Sequence, residues 1–281
     1  MELGALDVAT IAVEVIGGLA IACNLMAVAV FATTKSLHRK YYWFILNLVL
    51  ADIASPTLAI VQQVRPGKAP VALVRGAAFA AELSILSVAL NNFLAIVIPS
   101  RYDVIVTRCR MVVYCLFIWV LSLSTFLVLT YIQEYAFWIV RPLLSLTVII
   151  LTGILYCVVF LTIKKYRESH ASTTGNDQTA DRLRRTRRLM ITFTVILVTS
   201  CVCQIPFCSI NIMIFFSGKD LWGQDYSVLV FHKWSVAFVL LSSLANPFIY
   251  WWRLVDFRSR FCKKKNADET ELATVNTQAP M

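Results

Sequence analysis

Apolar residues gather along this chain into seven long runs, at about 10–32, 41–62, 72–98, 111–132, 138–163, 189–216 and 228–252, with short polar stretches between them. Each run supplies the roughly 20 residues a helix needs to cross a hydrocarbon core about 30 Å thick. Barrel strands would be shorter and would alternate in polarity, which these runs do not. The pattern predicts an all-α membrane protein, a bundle of seven transmembrane helices. Gln133-Glu134 is almost all that parts the fourth run from the fifth. After the seventh, 254–262 reads as a short amphipathic eighth helix on the membrane surface, with Leu254, Phe257 and Phe261 on one side and Arg258 and Arg260 on the other. Residues 1–262 then form one transmembrane domain, and 263–281 a polar, disordered cytoplasmic tail.

Polar residues inside these runs need a reason. Asp52 stands in the second run, where an aspartate costs about 2.5–3.5 kcal/mol on insertion scales. Near the end of the seventh comes Asn246-Pro247-Phe248-Ile249-Tyr250. Proline removes a backbone donor and frees the carbonyl one turn back, and in hydrocarbon that group must be satisfied within the protein. Asn246 is the side chain expected to do so. The segment reads as a hinge.

With 59% apolar and only 15% charged residues, the 281-residue chain lies outside the soluble range. If the N-terminus is extracellular, the inner loops and tail hold 20 of the 26 Lys and Arg, leaving Arg65, Lys68, Arg75, Arg141, Lys219 and Lys233 on the outer face. That asymmetry orients the chain, with the C-terminus cytoplasmic. The net charge of +10 is then a topology signal, and no nucleic-acid partner is implied. The longest inner loop, 164–188, is read as polar and mobile at its centre; its basic end suits acidic membrane lipids or a cytoplasmic partner. Outer connections are too short for a folded ectodomain, which favours a small-molecule or lipid-like ligand entering among the helices.

None of the eight cysteines falls in an outer connection, so no disulfide is expected. Cys201, Cys203 and Cys208 lack His or acidic companions and read as packing residues, not as a structural metal site. Cys262 is either a palmitoylation site or a free cytosolic thiol.

Asn24, Asn47-Leu48-Val49-Leu50-Ala51-Asp52, Arg101-Tyr102, Trp119, Tyr156, Pro206 and the Asn246–Tyr250 segment with its following Phe257 fall in successive runs. The set resembles the rhodopsin-like (class A) G-protein-coupled receptors over essentially the whole chain. The resemblance implies a plasma-membrane receptor acting on a heterotrimeric G protein, with arrestin as a further partner. It implies a polar core of Asn24, Asp52, Ser242, Ser243 and Asn246 around water and a candidate sodium ion. Leu90 stands where a hydroxyl is usual, and Asn91 is read as facing elsewhere. The implied activation switch comprises Arg101, Tyr102, Tyr156, Gln204, Pro206, Pro247 and Tyr250. In it, Arg101 swings toward Tyr156 and Tyr250 as the sixth helix moves outward.

Several positions depart from the family pattern. Pro99-Ser100 leaves Arg101 without the usual preceding acid, which predicts raised basal activity. Gln204-Ile205-Pro206 and Ser200 depart in the sixth run, and Arg108-Cys109 in the second inner loop. Glu82, Leu83, Leu86, Gln204, Asn211, Lys233 and Leu240 are the candidate ligand-pocket residues. An amine receptor would carry Asp at Leu83, from which Glu82 is turned by about 100°; an opsin would carry lysine near Leu240. The usual outer cysteine falls on Gly76. The missing outer disulfide, the short second outer connection and the lack of a proline in the middle of the fifth run make the chain loosely similar to the melanocortin, cannabinoid, lysolipid and adenosine branch. Glu14, Glu82, His232 and Lys233 are read near the outer ends of their helices.

Two other readings compete. The chain could be a divergent receptor with little or constitutive signalling, or a transporter or ion pathway using Asp52, Glu14 and Glu82. Transporters usually show paired halves with broken helices, and no such symmetry is seen. An enzyme is disfavoured, because metal and nucleophile motifs are absent.

Overall fold

Helices occupy all seven apolar runs, as lipid requires of a backbone that must satisfy its own hydrogen bonds. The computed structural model describes residues 4–38, 42–170, 177–217, 225–253 and 257. The long helices are α1 (Ala5–Thr33), α2 (Trp43–Val64), α3 (Lys68–Val97), α5 (Arg108–Tyr131), α6 (Phe137–His170), α7 (Asp177–Ser217) and α8 (Tyr226–Arg253), with a short α4 (Pro99–Ile105) between α3 and α5. Seven are long and apolar enough to cross a membrane. Of the expected surface helix 254–262, only Phe257 lies within the described residues.

One expected loop is largely helix. The sequence predicts a loop over 164–188, whereas α6 runs to His170 and α7 begins at Asp177. The α7 helix has 41 residues, roughly 60 Å at 1.5 Å per residue, about twice the hydrocarbon thickness. Charge and polarity stop a segment being buried in lipid; they do not stop it being helical.

The α3 helix packs against α2, α5 and α6 and reaches α7, while α8 closes the bundle against α1 and α7. At Gly76 an added Cβ would meet the Cα of Leu123 at 3.0 Å and the Ser122 carbonyl oxygen at 3.3 Å. Glycine there lets the two backbones approach, as small residues do between membrane helices.

Among the described residues, the two larger apolar cores stack along the bundle. One, toward the α4 end, holds Ile45, Leu48, Val88, Tyr156, Ile196 and Tyr250. The other holds Phe79, Phe126, Phe137, Ile210 and Ile214. Along α3 and α7, the buried Glu82 and Gln204 fall between the two cores, at a polar belt that also takes in Asp52, Asn246 and Arg141.

Candidate functional site

Proline 247 sets the geometry of the first cluster. A proline has no amide to give the carbonyl four residues back, which here is that of Ser243. The Nδ2 of Asn24 on α1 donates to that carbonyl at 3.0 Å and to Ala20 of its own helix at 2.9 Å. Asn24, not Asn246, therefore answers the freed group, contrary to the sequence expectation. Asn246 is left to donate from Nδ2 to Asp52 Oδ2 at 2.7 Å, tying α8 to α2. The Ser243 side chain also lies beside the Asp52 carboxylate, whereas Ser242 donates to Val239 of its own helix.

Beside this cluster is a cavity of about 20 Å³, lined among others by Asp52, Ser242, Ser243, Asn246, Ala81, Glu82 and Gln204. That is room for about one water-sized sphere. The Oδ1 atoms of Asn24 and Asn246 are buried without a hydrogen-bond partner. From α3 the lining includes Ala78, Ala81 and Ile85, not Leu90. The α3 position facing Asp52 thus differs from the one expected, but it still brings no hydroxyl.

Arg101 is where structure and sequence part. A residue before proline is pushed away from helical geometry, and α3 stops at Val97, two residues before Pro99. Arg101 consequently lies on α4, which buries none of its residues. It does not meet Tyr156 or Tyr250. The side chain beside the Tyr156 phenol is that of Asn92, still on α3, although neither the Asn92 Nδ2 nor the Tyr156 hydroxyl closes a well-formed hydrogen bond. The Tyr250 hydroxyl is likewise buried and unpaired, and its ring lies 6.1 Å from that of Phe257.

Asn91 faces away from the Asp52 cavity; it is buried and accepts a 3.0 Å hydrogen bond from the Tyr102 hydroxyl. Tyr102 thereby pins α4 to α3. Burial pushes its phenol above the ordinary value, with Asn91 opposing and Asp103 adding to the rise, so it remains a donor. One level deeper, Trp119 Nε1 donates to Asn47 Oδ1 at 3.1 Å, and Asn47 Nδ2 donates to Ser84 Oγ at 2.7 Å. That chain joins α5, α2 and α3.

A second polar cluster was missed as a unit. Glu82, read as lying near an outer helix end, is buried and accepts both arms of the Arg141 guanidinium, one at 2.9 Å to Oε2 and a closer one to Oε1. Arg141 also donates to Ser145, one turn along α6, and Gln204 Nε2 on α7 donates to Glu82 Oε1 at 2.6 Å. Arg141 is 2% exposed, so it is no outer-face cation. The Phe79, Phe126 and Phe207 rings lie 5.7, 5.8 and 5.9 Å from its guanidinium carbon. Its place five residues into α6 made it look like a flanking charge. The usable signal was Glu82, since a buried carboxylate requires a partner.

The candidate ligand-pocket residues do not form one site. Glu82 and Gln204 meet, but Leu83 and Leu86 pack against the Phe126 core and Leu240 packs with Val13 and Ala237. Asn211 donates to Phe207 of its own helix. Lys233 is half-buried within electrostatic reach of Glu14, and His232 lies 5.9 Å from Trp138 and 5.8 Å from Phe207, centroid to centroid. Pro206 sits inside α7. Cys262 lies outside the described residues.

A family model described as "7 transmembrane receptor (rhodopsin family)" matches residues 129–250. Sphingosine 1-phosphate receptor 2 of Rattus norvegicus is 26% identical over 268 residues, covering 84% of this chain and 70% of the relative. The receptors of the same name from Mus musculus and Homo sapiens are also 26% identical, with the same coverage.

Proposed function

We propose that this chain is a rhodopsin-like (class A) G-protein-coupled receptor, a multi-pass plasma-membrane protein and no enzyme, which converts binding of a lipid-like ligand into a rearrangement of α7 and α8. The chemistry in the relatives' names, a phosphate on a long-chain amphiphile, is the ligand class proposed here. A molecule of that kind can enter among helices whose connections are short. The observation that carries the reading is the Asn24–Ser243 and Asn246–Asp52 pairing around Pro247. It supplies a bendable joint whose freed backbone group has a partner on another helix.

Ligand acts by binding one arrangement better than the other. The joint lets the Tyr250 end of α8 shift while α1 and α2 stay fixed through Asn24 and Asp52. The described oxygens suit a single sodium ion, held by Asp52 with Ser242, Ser243 and Asn246. From α3 the cavity is lined by Ala78, Ala81, Glu82 and Ile85, so such a site has no α3 hydroxyl, and the Glu82 oxygens beside it are already held by Arg141 and Gln204. The excess of basic residues in the inner connections supports an extracellular N-terminus. With that orientation, the G protein and arrestin meet the α4 end, and the basic 182–188 segment meets acidic lipid.

Asn92 favours a modified trigger. A neutral amide lies beside Tyr156, the place the resemblance gives the Arg101 guanidinium after activation, while Arg101 sits on α4, which buries none of its residues, so the missing acid at Ser100 releases no arginine into that place. The test is nucleotide exchange on a panel of G proteins by the receptor in nanodiscs, with and without lysophospholipids. Exchange stimulated on at least one G protein, and lost in Asp52→Leu, is expected. No exchange on any member, from correctly inserted receptor, would contradict the reading.

A further inference from the structure

We propose that Glu82, Arg141 and Gln204 form an intramembrane latch that holds α3, α6 and α7 together in the resting receptor. The inference rests on the receptor reading above. It gives that reading a restraint in the middle of the bundle, since Arg101 provides none at the α4 end.

Three observations carry it. The carboxylate of Glu82 on α3 is gripped by both arms of Arg141 on α6, and Gln204 of α7 donates to the same carboxylate. One acid therefore bonds two helices at once. The cluster lies beside the Asp52 cavity, because Glu82 and Gln204 line it together with Asp52 and Asn246. And Gln204 stands two residues before Pro206, so the bond sits at the point where α7 can bend.

The physics gives the latch a direction. A guanidinium or carboxylate parted from its partner in hydrocarbon is costly. Three phenyl rings around Arg141 give it weak cation–π company but no acceptor oxygen. The closed cluster is thus the default, and α7 cannot move from α3 without giving up the Gln204 bond. A ligand whose anionic headgroup took over an arm of Arg141 would weaken the hold on Glu82, and with it the α3–α7 tie.

The test uses the full chain in nanodiscs with Cys109 and Cys157 replaced by Ser and spin labels at Val104→Cys and Ile191→Cys, both exposed in the present structure. Gln204→Leu cuts only the α7 arm and leaves the ion pair intact. It is expected to lengthen the label-to-label distance and to raise basal nucleotide exchange by about five-fold or more. Glu82→Gln should do the same, and Glu82→Arg with Arg141→Glu should restore the original distance, because Gln204 can turn its carbonyl toward an arginine. If Glu82→Gln does not reach the membrane, Gln204→Leu decides. An unchanged distance in Gln204→Leu overturns the latch whatever the exchange rate does. A lengthened distance without exchange in any form, wild type included, upholds the latch and removes G-protein coupling instead.

Discussion

The joint at Pro247 and the α4 end of α3 carry the same kind of signal in sequence, a few polar residues beside a proline, yet only one lies where its motif suggests. At Pro247 the helix continues through the proline, because Asn24 takes the carbonyl that proline strands. At Pro99 the helix stops, and Arg101 leaves the bundle with α4. A proline inside lipid can be bridged by a neighbouring helix; one at the membrane edge, with water to solvate loose groups, ends the segment. Motif position is therefore secure in mid-span and insecure at the rim.

Five substitutions test that contrast. Asp52→Leu strips Asn246 of its acceptor and should have the largest effect, cutting ligand-stimulated exchange by about ten-fold or more, in line with a buried charged hydrogen bond of about 1.5–3 kcal/mol. Asn24→Ala leaves the Ser243 carbonyl unpaired; a thermal-shift assay on solubilised receptor should register a loss of about 1–3 kcal/mol. If stability is unchanged, Asn24 does not support the joint.

Asn92→Leu and Arg101→Ala form a pair aimed at the other region. Exchange should change several-fold in the first and stay within about two-fold in the second, as expected for an exposed residue; the reverse order would return Arg101 to the switch. Tyr102→Phe removes the 3.0 Å bond to Asn91 and should cost about 1 kcal/mol, read as earlier proteolysis in the α3–α5 connection. A cleavage rate equal to wild type would mean that α4 is held by other contacts.

Hydropathy alone revealed the seven spans, because lipid burial imposes a length and a composition on each. Asp52 and Asn246 were legible as well, since a polar residue in mid-span must find a partner and few are available. Their division of labour was not: which of Asn24 and Asn246 serves the stranded carbonyl depends on helix rotation. Arg141 was hidden by its place near a helix start, where snorkelling to the surface is the usual outcome. The helical stretches around Lys164 and Arg188 were hidden because polarity says nothing against a helix outside the membrane. For Arg101 the signal is Pro99, two residues before it, together with Asn91-Asn92, which interrupt the apolar run of α3.

Disulfide trapping in native membranes addresses the register of α3 most directly. In receptor lacking its other reactive cysteines, mild oxidation should cross-link Asn92→Cys with Tyr156→Cys and leave Arg101→Cys with Tyr156→Cys reduced. Cross-linking of the 101–156 pair in preference to the 92–156 pair would contradict the account.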